Sequence, residues 1–286
     1  MDVAAAAQLA CLLEASAPKP GNVSPGRHFA DLRYEDFLAS AAAIGAPLAG
    51  AGLRPVGATV RLAVEATARW TSSNTNLGIV LLLTPLARAA LEEGFFMNLR
   101  GALRQVLAVT SVDDARDVYE AIRRARPGGL GREESQDVAD EPTLTLLEVM
   151  RLAADRDGVA REYATAFEVT FETGAPVLVL ARGDGLDWDD AIVETFLTLL
   201  AETPDTHVAR RGGVALAAEV SRRASTALAS GGVRSAAGRR AIDEMDRGLR
   251  DARNTANPGT TADLTAAAIF VVLLENSLGG CHAAPR

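Results

Sequence analysis

One ten-residue segment, 204–213, groups side chains that could carry out acid–base and phosphate chemistry. Asp205 could bind Mg²⁺ or accept a proton, and His207 could donate or accept a proton near neutral pH. Arg210 and Arg211 carry guanidinium groups suited to phosphate, and Gly212 follows them. The segment therefore predicts either a catalytic loop or a helix connection whose charges face water.

The chain contains a single lysine, Lys19, beside 28 arginines. Pro18 and Pro20 stiffen the backbone on either side of it, and Gly21, which precedes Asn22, permits a positive φ. An ammonium group fixed in such a loop is a point charge suited to a phosphate oxygen. The alternative is a surface lysine without a function.

A third polar segment, 72–76, ends in Asn74, Thr75 and Asn76 and directly precedes an apolar run that begins at Leu77. This order predicts a helix N-terminus, whose free N–H groups could hold an anion. Capping of the helix by one or two of these side chains is the alternative.

A fourth segment, 254–263, leads into the last predicted helix. Asn257, Pro258 and Gly259 predict a turn set against the helix start, which could direct backbone donors at a ligand. Thr260 and Asp263 have the spacing of a capping box, with Asp in place of the usual Glu or Gln. Capping alone would account for Asp263.

Three acids, Asp187, Asp189 and Asp190, could form a metal cluster, although acids also favour the first turn of a helix without any ligand. Phosphate-binding glycine motifs of the Walker and Rossmann types are absent from the sequence, as are the HExxH and GxSxG motifs. Common nucleotide-binding folds and serine or zinc hydrolases therefore have no support.

These segments must be positioned by helices, because apolar residues recur at three- and four-residue spacing along most of the chain. An alternating pattern is nearly absent, and residues 176–181 are the best candidate for a strand, although they could equally continue a buried helix. The pattern predicts an all-α fold of about a dozen helices, at 2–15, 34–46, 55–70, 76–92, 98–109, 112–126, 143–155, 159–180, 187–202, 212–229, 234–250 and 260–275.

The stretch from Arg126 to Pro142 is the one long irregular connection, rich in glycine and acids. We interpret it as a surface loop within one helical domain, 1–286, because composition does not change across it and no repeat is visible.

Charge and composition exclude several classes of function. A net charge of −8 argues against nonspecific nucleic-acid binding, which requires a basic face. The most apolar stretch, Leu77 to Leu91, is interrupted by polar residues and too short to span a bilayer, and the N-terminus lacks a secretory signal pattern. Cys11 and Cys281 match no zinc spacing. We expect a soluble cytoplasmic protein that binds no membrane.

The four polar segments, in this order, resemble the triphosphoribosyl-dephospho-CoA synthase family. The resemblance runs through most of the chain, and the ordered set of motifs is more specific than any one of them. The resemblance rests on these residues: Pro18–Asn22 with His28 and Asp31, Asn74–Thr75 before Gly78, Asp205–Thr206 with Arg211–Gly213, and Asn257–Gly259 with Ala262–Leu264.

The resemblance implies an all-helical enzyme that joins the triphosphoribosyl group of ATP to a ribose hydroxyl of dephospho-CoA, with Mg²⁺ as cofactor and with loss of adenine. The resemblance is compatible with a homodimer. It also implies roles for Asp205, His207 and Asp263 in catalysis, and for Asp31, Asp205 and Asp263 in binding metal. Residues expected to bind ATP or the acceptor are Lys19, Pro20, Gly21, Asn22, His28, Asn74, Thr75, Asn76, Gly78, Arg210, Arg211, Gly212, Asn257, Pro258 and Gly259.

One motif departs from the family pattern, in which Asn-Thr is followed by His, a basic residue and Gly. Here Asn76 and Leu77 stand before Gly78, so an imidazole and a cation are missing.

Three other functions are alternatives to this transferase: the same chemistry on another acceptor, a helical nucleotide or ADP-ribosyl hydrolase, and an ATP-binding protein without turnover. In the hydrolase the metal ligands would be Asp187, Asp189, Asp190, Asp205 and Asp263. In the transferase the four segments should converge on one pocket.

Overall fold

The computed structural model describes residues 2–92, 98–251 and 253–279, with side chains to residue 275, so Cys281 lies outside the described residues. Helices account for most of the described chain, and no β-strand occurs in it. They are α1 Val3–Ser16, α2 Tyr34–Ala43, α3 Gly45–Ala49, α4 Val56–Thr67, α5 Leu77–Ala90, α6 Leu99–Ala108, α7 Val112–Ala125, α8 Leu146–Ala153, α9 Gly158–Thr165, α10 Ala175–Gly183, α11 Trp188–Glu202, α12 Thr206–Gly212, α13 Val214–Ala229, α14 Ala236–Leu249 and α15 Gly259–Gly279.

The centre of the fold is α15, which is buried on every side from Ala266 to Leu274. It packs against α1, α5, α10 and α11. A helix that is apolar all round belongs in a core, and the small alanines of α1 and α15 let the neighbouring backbones approach closely. Because α15 is held along its length, its N-terminal turns have a fixed position relative to α5.

The all-α fold class is confirmed, and residues 176–181, the candidate strand, lie within α10. The predicted continuous helix at 159–180 is wrong, because α9 ends at Thr165 and the chain turns by 89° before continuing through a π-helical segment, Val169–Gly174, into α10. At the turn Ala166 and Phe167 adopt left-handed conformations, with φ of 51° and 59°.

This turn is stabilised by Glu162, which is fully buried. Its carboxylate accepts hydrogen bonds from the N–H groups of Val169, at 3.0 Å, and Thr170, at 2.9 Å, and from the Thr170 hydroxyl at 2.5 Å. The free N–H groups at the start of the π-helical segment are thereby satisfied. Burial raises the pKa of Glu162, and these hydrogen bonds act in the opposite direction.

Two connections matter for the site. The segment 204–213, predicted as a loop, contains the short helix α12. The long connection after α7 is irregular, as predicted, and is held against α7 by a hydrogen bond from the Tyr119 hydroxyl to the Gln136 carbonyl, at 2.5 Å.

In the described part of the chain no single helix is long and apolar enough to cross a membrane. The bent pair formed by α9 and residues 169–183 would be long and apolar enough only if its two parts are counted together.

Candidate functional site

A cavity of about 460 Å³ lies between α7, α8, α9 and the N-terminal turns of α5, α12 and α15. The irregular connection between α7 and α8 forms its outer wall. Three of the four polar segments contribute to it, so the sequence prediction of convergence is met for those three. The polar side chains at this end of the cavity are Asn74, Asp157, His207, Arg210, Thr260 and Asp263.

The starts of three helices meet at the polar end. The Thr206 hydroxyl, in the first residue of α12, accepts a hydrogen bond from the N–H of Gly158, the first residue of α9, at 3.0 Å. It also lies 3.0 Å from the Thr260 hydroxyl in the first turn of α15. Helix N-termini carry partial positive charge, so this arrangement favours an anionic ligand.

Asp263 lies in α15 beside Gly78, which has no side chain to keep it away. Among the described residues, none donates a hydrogen bond to the Asp263 carboxylate or pairs with it as an ion. Burial raises its pKa well above the ordinary value, and the nearby acids Glu14, Asp205 and Asp157 add to this. A neutral carboxylic acid at the cavity is the form that these surroundings favour.

His207 lines the same cavity from α12. Burial lowers its pKa to about 4, with further lowering by the positive charges of Arg210 and Arg211. Its Nε2 atom is buried and has no hydrogen-bond partner within the described structure, while Nδ1 faces the backbone of Gly259. The imidazole is therefore neutral near pH 7 and has a nitrogen that a ligand could engage.

Asp157 is a cavity residue that the sequence analysis did not single out. It caps α9 by accepting a hydrogen bond from the Ala160 N–H at 3.0 Å, and its other oxygen pairs with Arg210 Nη1 at 2.5 Å. Its only sequence signal is its position as an N-cap before a glycine, which many helices share. The pair orients Arg210, whose Nε atom is buried without a partner among the described residues.

Asp205 has a different environment from Asp263. It is 2% exposed, does not line the large cavity, and caps two helices at once. One oxygen accepts the Val208 N–H at 2.9 Å, and the other accepts both the N–H and the hydroxyl of Thr261 at 2.7 Å. Burial raises the pKa of Asp205, while these hydrogen bonds oppose the rise. With both oxygens engaged, Asp205 is placed to hold α12 against α15.

Lys19 is fully buried and does not line the cavity. Its Nζ lies 3.0 Å from Oε1 of Glu14, which is also buried, and it donates hydrogen bonds to the Glu14 and Ala17 carbonyls. The ammonium is thus engaged within the protein rather than presented to a phosphate. Its predicted phosphate contact would require this ion pair to open.

The loop after Lys19 joins the segment that precedes α15. Gly21, at φ 77°, packs against Leu249 and Pro258, and its N–H donates to Asp246 at 2.8 Å. Asn22 Nδ2 donates to the Pro258 carbonyl at 3.4 Å. The first and fourth segments are therefore neighbours, although Pro20, Gly21 and Asn22 do not line the cavity.

The side chains of the segment before α5 point to different places. Asn74 is exposed at the cavity and caps α5 by accepting the Leu77 N–H at 3.2 Å. Thr75 and Asn76 point elsewhere, to Ser40 at 2.6 Å and Thr67 at 3.2 Å respectively. Of the three, Asn74 is the one that a ligand in the cavity could contact.

The remaining predicted binding residues lie outside the cavity lining. His28 and Asp31 are exposed, and Arg211 donates a hydrogen bond to the Arg253 carbonyl. Gly212 is also exposed, next to Thr255. Asn257 is buried with its Oδ1 unpartnered in the described structure, directly before Pro258 and Gly259. Roles for these residues stay predictions.

The acids expected to bind metal do not assemble into one centre. Within the described ranges, no three His, Cys, Asp or Glu side chains form a cluster that could hold a metal ion. Asp187 caps α11 through the Asp190 N–H at 2.9 Å, and Asp190 pairs with Arg239. Mg²⁺ often takes one or two protein carboxylates and completes its shell with substrate phosphates and water, so a site at the cavity would depend on the ligand.

Comparison with known proteins assigns the chain to a family. The model of the ATP:dephospho-CoA triphosphoribosyl transferase family matches residues 1–281. A crystal structure from Archaeoglobus fulgidus, titled as that of a triphosphoribosyl-dephospho-CoA synthase, is 30% identical, has a TM-score of 0.65, and aligns over 83% of this chain and 98% of the other.

Curated relatives named 2-(5''-triphosphoribosyl)-3'-dephosphocoenzyme-A synthase agree with this assignment. The Pseudomonas paraeruginosa relative is 39% identical over 43% of this chain and 42% of its own length. The Pseudomonas syringae pv. syringae relative is 33% identical over 62% of this chain and 60% of its own length. The aligned regions thus cover less than two thirds of these relatives. By the match along nearly its whole length, the chain belongs to the ATP:dephospho-CoA triphosphoribosyl transferase family.

Proposed function

We propose that the protein transfers the triphosphoribosyl group of ATP to 3'-dephospho-CoA and releases adenine. The observation that carries this proposal is the cavity-facing Asp263, which has no partner among the described residues, at the meeting point of three helix starts. A half-buried carboxyl group that faces a cavity, lies near other acids and lacks a structural hydrogen bond is typical of a catalytic acid or base.

In the proposed step, the acceptor hydroxyl oxygen bonds to C1' of the ATP ribose while the bond from C1' to the adenine nitrogen breaks. The electron pair of the broken bond leaves with adenine, and substitution at such a carbon passes through a state with oxocarbenium character. The triphosphate stays on the transferred ribose. The hydroxyl proton is lost from the acceptor and adenine gains one, so protons balance.

Two of the titratable groups at the cavity, Asp263 and His207, have complementary protonation states. Asp263, whose raised pKa favours the neutral acid, would protonate the departing adenine. His207, whose pKa of about 4 keeps it neutral, would accept the hydroxyl proton at an imidazole nitrogen. Asp205 would support both by fixing α12 and α15 relative to each other.

The triphosphate would lie at the joined helix starts, next to Arg210. Mg²⁺, when bound with ATP, would neutralise phosphate charge. Asp157 lines the cavity and retains acceptor lone pairs beyond its two contacts, so it is the carboxylate we propose as the protein ligand. We place the activity in the reducing cytoplasm, in keeping with the unpaired, buried Cys11.

Product analysis tests the proposal. The full chain is incubated with ATP, Mg²⁺ and dephospho-CoA, and every product is identified by mass. The expected result is free adenine in equal amount to an adduct of dephospho-CoA that carries ribose and an intact triphosphate. Adenine with ribose triphosphate and unchanged dephospho-CoA would instead indicate a hydrolase, and absence of free adenine would indicate binding without turnover.

A further inference from the structure

The cavity has a second part whose chemistry differs from the polar end. Val118 and Ile122 of α7 line it together with Leu146, Val149 and Met150 of α8. Val118, Leu146, Val149 and Met150 are buried, and Ile122 is half-buried. These five residues, which we call the apolar wall, line a part of the cavity that the proton transfers above do not use.

The wall is elongated and continuous with the polar end. Val118 and Ile122 are one helical turn apart, and Leu146 to Ala153 of α8, both at the cavity, span two turns or about 10 Å. Leu77 and Leu81 continue the apolar lining along α5 to Gly78 and Asp263. A ligand at the polar end could therefore extend along the wall without leaving the cavity.

The wall excludes some parts of the substrates. Phosphate groups placed against the five wall side chains would lose their hydration without gaining a cation there, which is costly, because the arginines of the cavity lining, Arg123, Arg126, Arg156 and Arg210, are not part of the wall. A planar base is commonly bound by stacking on a ring, but Tyr119 is the one Phe, Tyr or Trp among the described lining residues. Its hydroxyl is already bonded to the Gln136 carbonyl at 2.5 Å. Aliphatic side chains and the adaptable Met150 suit a flexible, uncharged chain better.

We infer that the apolar wall binds the pantetheine arm of the acceptor. The arm is the extended, uncharged part of dephospho-CoA, with a geminal dimethyl group beside a hydroxyl, two amides joined by a pair of methylenes, and a second methylene pair that ends in a thiol. This inference rests on the proposed function for its choice of ligand, and adds to it a subsite that selects an acceptor by the part remote from the reacting hydroxyl. Such remote contacts fix a substrate's orientation.

The test measures binding without turnover, by calorimetry with three separate probes: dephospho-CoA, pantetheine and ATP with Mg²⁺. The variants are Met150→Glu and Ile122→Gln, which place polar groups on the wall, with Met150→Leu and Ile122→Leu as matched apolar controls. Ile122 is half-buried, so its variant should fold even where Met150→Glu does not. Circular dichroism of each variant verifies folding.

For the wild-type protein we expect pantetheine to compete with dephospho-CoA and not with ATP. The polar variants should bind dephospho-CoA at least about tenfold more weakly, as expected for losing a few buried methylene contacts. Their ATP affinity should change by less than about twofold, and the leucine controls should resemble wild type. Unchanged dephospho-CoA affinity in folded polar variants, or a selective loss of ATP affinity, would overturn the assignment.

Product analysis separates this inference from the proposed function. If the adduct forms but the wall variants bind dephospho-CoA normally, the subsite is wrong and the transfer stands. If no adduct forms but binding depends on the arm and the wall as described, the subsite stands and the reaction is wrong.

Discussion

Gly78 and Asp263 are in such close contact that a Cβ added to Gly78 would lie 2.0 Å from Oδ2 of Asp263. Gly78 is the second residue of α5, and Asp263 lies in the first turns of α15. The absence of a side chain at position 78 therefore gives the Asp263 carboxyl its place at the cavity.

We expect Gly78→Ala to displace Asp263 and to reduce adenine release by about tenfold or more, because a misplaced acid loses its alignment with the leaving group. Gly183→Ala is the matched control, since nothing lies within 4 Å of a Cβ there. Initial rates of adenine formation, corrected for the folded fraction, give the comparison. Equal rates for the two variants would show that Gly78 has no such role.

Asp205→Asn should lower stability rather than remove a reacting group. An amide cannot accept the Val208 N–H on one side and both Thr261 donors on the other, so one helix cap is lost at a cost of about 1–3 kcal/mol. Urea unfolding measures this, with the exposed Asp155→Asn as control. A variant as stable as wild type but about a hundredfold less active would instead support the catalytic role that the sequence suggested for Asp205.

Lys19→Met should destabilise the protein by about 3–5 kcal/mol, because it leaves the buried Glu14 carboxylate without its cation. Lys19→Arg should also destabilise it, since the fully buried site suits a compact ammonium. Adding Glu14→Gln to Lys19→Met should recover part of the loss. Arg33→Met breaks the exposed pair with Glu35 and should change stability far less, because water screens exposed charges. Similar costs for the two single Met variants would contradict a structural role for Lys19.

Stability at acid pH should depend on His207. Its pKa is about 4 in the folded protein and near 6.5 when unfolded, so the unfolded state takes up the proton first as pH falls. His207 should therefore contribute a loss of stability between about pH 6.5 and 4, of at most about 3 kcal/mol. Thermal unfolding from pH 7 to pH 4.5 should show a smaller decline for His207→Gln than for wild type. Parallel declines would mean that the imidazole titrates normally.

Hydrophobic periodicity predicted most of the helices because their faces pack on a common core. It did not predict the turn at Ala166 and Phe167, since neither residue type favours a left-handed conformation. The turn depends on the Glu162 carboxylate, which reaches N–H groups seven and eight residues further on. A buried carboxylate that caps a π-helical segment has no periodic signal.

The site was predictable as a set of polar helix ends but not as a set of roles. Asp205 and Asp263 look alike in the sequence as acids at helix starts, yet one is engaged by Val208 and Thr261 and the other is free among the described residues. The contact between Asp205 and Thr261 spans 56 positions. Lys19 was singled out by its rarity, whereas its burial with Glu14 depends on packing that composition does not encode.

We expect Asp263 to protonate the departing adenine during transfer from ATP, and Asp263→Asn removes that acid. The amide has nearly the same shape but cannot act as the acid. Because the folded protein raises the pKa of Asp263, ionisation of this residue costs stability as pH rises from about 4 through its folded pKa, so the variant should be at least as stable as wild type at pH 7.

The measurement is adenine release from ATP with Mg²⁺ and dephospho-CoA by wild type, Asp263→Asn and the exposed control Asp155→Asn, with unfolding monitored in parallel. An acid role for Asp263 predicts a fall of at least about a hundredfold for Asp263→Asn, with undiminished stability and a normal rate for the control. Adenine release near the wild-type rate by folded Asp263→Asn would contradict it.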